Sequence, residues 1–371
     1  MDKGQWQKTL VQITTYKNAK NFVPEELLNK LVEQINPSFK SLGLAGIGAE
    51  GIAVIIETGF HRKYLVKAAL PEFAVQPVKQ TRIYDFTRKF RKIVEKNNMA
   101  ERFREGCLVQ MKLATEVLAE RLDYLHIPQI IQIHEVPLFV QMEYVEGVTL
   151  LRWLRDRKNL LVSLEYFEKL LRAFDFVHKR RVVYRDLKAD HVLVTGEKAQ
   201  KIALIDWTLA KEKGERNITK TGSGIGTFPL ASPQAFWGDA SDYRYSDDIF
   251  GLGFLLWQFV TLKDLPYIEP TDSVVVLQEY IDALARDLPI AIAALYRKYT
   301  AIDREKRYLT VEFALVEMQE LMQLLKTKEN QEIATVKCEC RLCRNPNLAS
   351  EIEEILKYKD HLLALCKAFK V

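Results

Sequence analysis

Three features are scarce in this sequence, and each absence excludes a class of protein. No apolar run is long enough to span a bilayer: the longest, Ile249 to Leu262, contains Gln258 and predicts a buried helix. The polar start, Met1 to Gln5, lacks the apolar stretch of a secretory signal. Only five residues are cysteine, and four of these lie within the last 34 residues. We therefore expect no disulfide framework and a reducing, cytoplasmic setting.

Composition is that of a globular chain able to bury a large core, with 48% hydrophobic and 28% charged residues. The formal net charge of +5 permits an anionic ligand such as a nucleotide. A charge this small does not argue for nucleic acid as a partner. We find no internal repeat and no low-complexity segment.

Strand patterns dominate the first part of the chain and helix patterns the rest. One helix is predicted from Pro24, with an apolar face that includes Leu28 and Leu31. Runs of β-branched residues predict strands at 52–57, 64–66, 130–135, 138–144 and within 192–205. This order indicates an α+β fold of two lobes with a cleft between them. The predicted segments are an N-terminal extension (1–40), a β-rich N-lobe (41–145), an α-helical C-lobe (146–327) and a cysteine-containing helical tail (328–371).

A glycine-rich segment, Gly46-Ile47-Gly48-Ala49-Glu50-Gly51, lies between two predicted strands. Glycines at this spacing let a hairpin backbone approach phosphate oxygens, although a plain glycine turn has the same letters. Lys67 ends an apolar strand 16 residues beyond Gly51. That distance makes Lys67 a candidate phosphate ligand.

Two carboxylates about 20 residues apart carry the most specific signal. The first lies in Tyr184-Arg185-Asp186-Leu187-Lys188, and the second in Ile205-Asp206-Trp207-Thr208. Each follows a β-like run, and the pair suits two tasks: accepting a hydroxyl proton and holding Mg²⁺. Lys188 supplies a cation for a transferring phosphoryl group.

Taken in order, these segments resemble the motifs of the eukaryotic-like Ser/Thr protein kinase family over about residues 41–325. Further matches are Met142 to Gly147 with its hinge, Gly226 to Gln234 with its GTPxYMAPE segment, Asp248 to Gly253 with a buried helix start, and Asp303 to Arg307 with a late DPxxR. The resemblance implies a bilobal protein-kinase-like fold that uses ATP and Mg²⁺ (or Mn²⁺).

The resemblance also implies a role for each matched residue. Asp186 would be the catalytic base and Asp206 the principal metal ligand, while Lys188 and Thr227 mark the Ser/Thr branch. Met142 would be the gatekeeper residue of the nucleotide site. The other implied nucleotide-binding residues are Gly46, Gly48, Gly51, Lys67, Glu143, Val145 and Leu193. Arg185 beside Asp186 implies control by phosphorylation of a loop in which Thr219, Thr221 and Ser223 are candidate acceptors.

Departures from the family pattern lie close to the expected metal. His191 stands where the family has an Asn that binds a second Mg²⁺, and imidazole suits softer ions than Mg²⁺. Three interpretations are open: weak or Mn²⁺-assisted activity, rescue of metal binding by Asp190, and loss of catalysis. Thr208 replaces a glycine, Glu50 puts a charge at the glycine-loop tip, and Gln234 replaces a Glu that pairs with an Arg, here expected to be Arg307.

Two glutamates are candidates for the ion pair with Lys67 that the family requires. Glu105 is followed by the apolar Leu108 and Val109. Glu116 lies closer to the distance from the hinge segment that the family pattern leads us to expect. We prefer Glu105. The basic run from 79 to 104 is either a solvated helix face or a docking patch. Cys338, Cys340 and Cys343 are zinc ligands, plain reduced thiols or redox groups.

The sequence therefore predicts a protein kinase that transfers the γ-phosphoryl group of ATP to Ser/Thr hydroxyls of a protein substrate, its own included. A pseudokinase, acting as a nucleotide-binding regulator or scaffold of a partner protein, is the main alternative, supported by His191, Thr208 and Glu50. A small-molecule kinase on the same fold is the second alternative. The Thr227 to Gln234 match argues against it, because that segment shapes a peptide groove in the family.

Overall fold

A computed structural model describes most of the chain, namely residues 3–14, 23–47, 51–69, 99–135, 137–196, 198, 200–214, 226–238 and 242–326. Several sequence predictions fall outside these residues. They concern Gly48 and Glu50, the loop hydroxyls at 219–223, the basic run up to residue 98, and the cysteine-containing tail.

The chain forms two compact units. The first comprises Met1–Gly147 and Thr195–Ser223, and the second comprises Val148–Val194 and Gly224–Val371. Each unit is thus built from two stretches of the sequence.

Strands form the centre of the first unit. The strands are β1 (Lys40–Ile47), β2 (Gly51–Glu57), β3 (Lys63–Ala69), β4 (Leu125–His126), β5 (Ile130–Glu135), β6 (Leu138–Glu143), β10 (Lys201–Leu204) and β11 (Lys211–Glu212). Five of them form an antiparallel sheet with the order β1-β2-β3-β6-β5, and β4 pairs in parallel with β10. The predicted strands of this region are confirmed. Strand β3 is longer than the predicted run at 64–66, since it begins at Lys63 and continues through Ala69.

Alternation along β2 explains how the sheet forms a core. Ile52, Val54 and Ile56 point to one face and are fully buried. Two helices pack on that face: α1 (Lys3–Thr14) and α2 (Glu25–Glu33). The pattern from Pro24 predicts α2 and misses α1, which completes the same core.

One long helix, α3 (Met99–Ala119), also belongs to the first unit. Phe103 and Cys107 on this helix pack with Val140 and Met142 of β6. The side chain of Gln110 donates to the carbonyl oxygen of Pro128 at 2.8 Å, which fixes α3 to the chain entering β5.

Helices make up most of the second unit, as predicted. They are α4 (Leu150–Arg157), α5 (Leu160–Lys179), α6 (Pro233–Phe236), α7 (Tyr245–Thr261), α8 (Val274–Ala285), α9 (Ile290–Tyr299) and α10 (Val311–Leu325). The short strands are β7 (Val148–Thr149), β8 (Val182–Val183) and β9 (Val192–Thr195), and β7 pairs with β9. Single 3₁₀ turns occur at Ala189–His191 and Arg304–Lys306.

Helix α7 is the buried helix predicted from the apolar run at 249–262, and this prediction is confirmed. Its side chains from Ser246 to Phe259 are buried. Phe167 of α5 meets Phe259 edge-on at 6.4 Å and Tyr299 of α9 at 5.8 Å, so three helices share one aromatic core. Among the described residues, no helix combines the length and the apolar character needed to span a membrane.

Candidate active site

Lys67, Asp206 and Thr208 meet in the first unit. Lys67 lies in β3, flanked by Ala53 of β2 and Val140 of β6. Its ammonium group donates to Asp206 Oδ1 at 2.6 Å and to Thr208 Oγ1 at 2.5 Å. The Thr208 hydroxyl donates to the same carboxylate oxygen at 2.7 Å. The lysine side chain is 14% exposed and the aspartate 33%, so the ion pair is partly shielded from water.

The backbone around Asp206 is held in an uncommon conformation. Asp206 has φ of 61°, in the left-handed region that Asp tolerates better than most residues. The next residue, Trp207, is buried and donates its indole N–H to the carbonyl of Leu204 at 2.9 Å. A Cβ atom on Gly106 of α3 would lie 2.4 Å from the Trp207 carbonyl oxygen and 2.8 Å from Thr208 Cα. Helix α3 therefore needs glycine at this point to pack against the segment.

The same packing bears on the choice between the two glutamates of α3. Burial raises the pKa of the Cys107 thiol to about 12, and the charges of Lys67 and Asp206 act on that thiol as well. Because Gly106 packs against the backbone of Trp207 and Thr208, residues 105–107 lie beside the Lys67 site. Glu116 is 11 residues further along, about 16 Å at the helical rise. This geometry favours Glu105, and its pairing with Lys67 stays a prediction.

Two predicted nucleotide-binding glycines lie at the adjacent ends of β1 and β2. Gly46 is in β1, and Gly51 begins β2. A Cβ atom on Gly51 would lie 2.7 Å from the carbonyl oxygen of Ala68, so β3 approaches too closely for any side chain there.

The first two predicted hinge residues, Met142 and Glu143, end β6, and Val145 follows the strand. Met142 is buried at the end of this strand, and Glu143 pairs with Tyr64 of β3. Burial alone would raise the pKa of Glu143, but hydrogen bonds from His126 and from the Gln129 N–H outweigh it and lower this pKa. The carboxylate therefore ties the end of β6 to β4 and to the chain before β5.

Asp186, Lys188 and Thr227 meet in the second unit. The Thr227 hydroxyl donates to Asp186 Oδ1 at 2.8 Å, and the Lys188 ammonium lies 3.3 Å from Oδ2. The Asp186 side chain is 15% exposed. One carboxylate is thus oriented by a hydroxyl on one oxygen and flanked by a cation on the other.

A second, fully buried carboxylate holds the backbone that carries Asp186. Asp248 Oδ2 accepts from the Tyr184 N–H and Oδ1 from the Arg185 N–H, both at 2.9 Å. His178 Nε2 and the Tyr243 hydroxyl also contact this carboxylate at 2.9 Å. Arg185 has φ of 73°, which is uncommon for a residue with a Cβ. The sequence motif includes Asp248, but His178 and Tyr243 carried no signal that identified them.

His191 lies next to the Asp186 cluster and is buried. Its Nδ1 is 2.9 Å from the Asp186 carbonyl oxygen. A carbonyl oxygen only accepts, so Nδ1 carries the proton, and any metal contact of His191 would use Nε2. Leu193 follows in β9, opposite Thr149. Over the described ranges, no group of three or more His, Cys, Asp or Glu side chains is arranged to hold a metal ion.

The predicted pairing of Gln234 with Arg307 is confirmed. Arg307 donates to Gln234 Oε1 at 2.5 Å and to Asp247 Oδ1 at 3.0 Å. Burial lowers the pKa of Arg307 to about 10, against the opposing effect of Asp247. At the start of the same segment Gly226 has φ of 102° and lies against Ala231, a position that excludes a side chain.

These strands, helices and clusters define a protein-kinase-like α+β fold, and comparison with known proteins identifies the family. The sequence profile of the protein kinase domain matches residues 91–294, more than half of the chain. The chain therefore belongs to the protein kinase domain family. The matched region includes both carboxylates, Asp186 and Asp206, whereas Gly46, Gly51 and Lys67 lie before it.

Three curated relatives are bacterial proteins named as Ser/Thr kinases. A probable serine/threonine-protein kinase of Clostridium acetobutylicum is 29% identical over 178 residues, covering 46% of this chain and 26% of the relative. The probable serine/threonine-protein kinase PknB of Lactococcus lactis is 27% identical over 198 residues, covering 50% and 31%. The serine/threonine-protein kinase PknD of Chlamydia caviae is 25% identical over 222 residues, covering 50% and 23%. The chain thus spans about a quarter of the length of these relatives.

Proposed function

We propose that this protein is a protein kinase that transfers the γ-phosphoryl group of ATP to Ser or Thr hydroxyls. The cluster of Asp186, Lys188 and Thr227 is the observation that carries the proposal. A carboxylate oriented by a hydroxyl and flanked by a lysine is suited to accept a proton while negative charge develops nearby. The named kinases among its relatives support the same reaction.

Asp186 acts as the base in this proposal. The proton of the substrate hydroxyl passes to Oδ2, because Oδ1 already accepts the Thr227 hydroxyl. Lys188 then lies beside the oxygen that receives the proton, where its charge stabilises the transferring phosphoryl group. Asp248 contributes indirectly, since it fixes the backbone of the residue before Asp186.

Residues of the first unit bind the nucleotide in this proposal. Lys67 binds phosphate oxygens, with Glu105 as its ion-pair partner. The glycine segment from Gly46 to Gly51 covers the phosphates, and Glu143 and Val145 bind adenine through their backbone. Met142 is the predicted gatekeeper residue, and Leu193 is a further predicted nucleotide-binding residue.

The donor chemistry fits a magnesium ion at Asp206, because a carboxylate oxygen is a ligand that Mg²⁺ prefers. When bound, the metal neutralises phosphate charge. His191 stands where the family has the Asn ligand of a second Mg²⁺, and it would offer an imidazole nitrogen in place of an amide oxygen, which favours Mn²⁺ over Mg²⁺. The proposal extends to a reducing, cytoplasmic setting, which rests on the distribution of the cysteines.

Incubation of the purified chain with radiolabelled ATP, a generic protein substrate and either Mg²⁺ or Mn²⁺ tests this function. Lys67→Met and Asp206→Asn should each lower transfer about 100-fold or more, because each removes a preorganised charge. Lys63→Met is the matched control, since Lys63 lies on the same strand and pairs with Glu146 at the surface. Nucleotide binding without transfer in either metal would favour the pseudokinase alternative instead.

A further inference from the structure

The hydroxyl of Thr208 joins the two charged groups that the proposed reaction needs. Its oxygen accepts from the Lys67 ammonium at 2.5 Å and its proton is directed at Asp206 Oδ1, 2.7 Å away. Lys67 contacts that same carboxylate oxygen at 2.6 Å. The three groups form a closed triangle in which each contacts both of the others.

In the family that this chain resembles, a glycine follows the aromatic residue of the metal-binding triplet. Glycine has no side chain, so the two hydrogen bonds of the triangle that involve the Thr208 hydroxyl exist because of the threonine. Backbone contacts fix where the hydroxyl lies. Trp207 is anchored through its indole to Leu204, and Gly106 of α3 approaches the Trp207 and Thr208 backbone too closely for any Cβ atom. The backbone that carries the hydroxyl is therefore held in place by packing.

The triangle occupies the atoms that a metal and a nucleotide would use. Asp206 Oδ1 is an oxygen suited to Mg²⁺, and Lys67 Nζ is the predicted phosphate ligand. Two hydrogen bonds to one carboxylate oxygen compete with a cation for that oxygen. A lysine held by both a carboxylate and a hydroxyl is less available to phosphate.

We propose that Thr208 is a positioning residue that holds the Lys67 ammonium against Asp206 in the metal-free protein, an arrangement that we call the latch. A divalent cation must displace these contacts at Asp206 before Lys67 can bind phosphate. The proposal rests on the proposed function and specifies how its site is regulated. Metal concentration would then set the fraction of molecules whose lysine is released. One net hydrogen bond corresponds to roughly a 2- to 12-fold change in an equilibrium constant.

Nucleotide binding measured as a function of Mn²⁺ concentration tests the latch without an activity assay. The probe is trinitrophenyl-ATP, whose fluorescence reports binding. The readout is the Mn²⁺ concentration at which the stimulation of nucleotide binding is half-maximal. Thr208→Val, which keeps the branched shape and removes the hydroxyl, should lower this concentration roughly 2- to 12-fold. Thr208→Ser, which keeps a hydroxyl, should restore the wild-type value. An unchanged value in Thr208→Val overturns the latch, and a raised value shows that the hydroxyl is a metal ligand instead.

A double-mutant cycle in the metal-free protein separates the latch from the proposed function. Urea midpoints are measured in EDTA for Thr208→Val, Lys67→Met and the double variant. If the hydroxyl contacts the ammonium, the midpoint shift of Thr208→Val should be at least halved in the Lys67→Met background. If the urea-midpoint shifts of the two single variants add up to that of the double variant, the hydroxyl and the ammonium do not interact and the latch is overturned. Absence of nucleotide binding in any metal, with coupling still present, would contradict the proposed function and leave the latch supported.

Discussion

Asp248→Asn is the substitution that best tests how the backbone of the catalytic segment is held. The Asp248 side chain is fully buried and accepts four hydrogen bonds, from the backbone N–H groups of Tyr184 and Arg185 and from the side chains of His178 and Tyr243. Asparagine has nearly the same shape but only one acceptor oxygen. Whichever way the amide turns, its NH₂ group faces one of the two backbone donors.

The expected cost follows from that lost acceptor. A buried donor without a partner costs about 1–3 kcal/mol, and a hydrogen bond to a charged group is worth about 1.5–3 kcal/mol. We expect Asp248→Asn to lower the free energy of unfolding by about 2–4 kcal/mol. Phosphoryl transfer should fall as well. The left-handed backbone of Arg185 lies next to the proposed base Asp186, and the substitution weakens the Asp248 contact that holds it.

Urea denaturation followed by circular dichroism measures this cost, with Tyr243→Phe as the matched control. That substitution removes one hydroxyl from the same carboxylate and leaves both backbone hydrogen bonds intact. It should lower the free energy of unfolding by about 1–2 kcal/mol. If Asp248→Asn is no more destabilising than Tyr243→Phe, the backbone contacts do not hold the segment and the reasoning is wrong.

Three further predictions concern single residues near the proposed site. Gly106→Ala should destabilise the protein, because the new methyl group meets the Trp207 carbonyl. This clash should outweigh the gain in helix propensity of about 1 kcal/mol that alanine brings. A rise in the thermal unfolding midpoint would refute this packing. Cys107 should resist iodoacetamide at pH 8 in the native protein, since burial raises its pKa to about 12, and should react in urea; peptide mapping by mass spectrometry decides between these outcomes. His191→Asn should raise the ratio of Mg²⁺-supported to Mn²⁺-supported transfer, because an amide oxygen replaces an imidazole nitrogen. An unchanged ratio in this variant would mean that His191 does not face the metal.

Local pattern and ordered motifs predicted much of the fold. The buried run at 249–262 predicts α7, and the motif match that places Gln234 opposite Arg307 is confirmed by a direct hydrogen bond. Helix α1 was missed, although Trp6, Leu10 and Ile13 recur at helical spacing and are buried. Its other residues are mostly polar, and its apolar side chains gain a partner only when the distant sheet is present.

Long-range contacts account for what the site motifs did not predict. The sequence shows that Thr208 replaces a glycine of the family pattern, but it does not show that the threonine hydroxyl contacts Lys67, 141 residues earlier in the chain. The role of Gly106 is similarly invisible in the sequence, because the backbone it contacts lies at Trp207. A motif predicts which residue types are present, and the contacts that orient them depend on the folded chain.

Identification of the phosphorylated amino acid tests the central claim most directly. The full chain is incubated with radiolabelled ATP and Mg²⁺ or Mn²⁺, and the labelled products are hydrolysed and separated. We predict metal-dependent phosphoserine or phosphothreonine, reduced about 100-fold or more by Asp186→Asn with nucleotide binding retained. Asp175 is a carboxylate on α5 that pairs with Lys179, and the control variant Asp175→Asn should leave the labelling unchanged. Equal labelling by Asp186→Asn and wild type, or nucleotide binding with no labelled Ser or Thr in either metal, would contradict this claim.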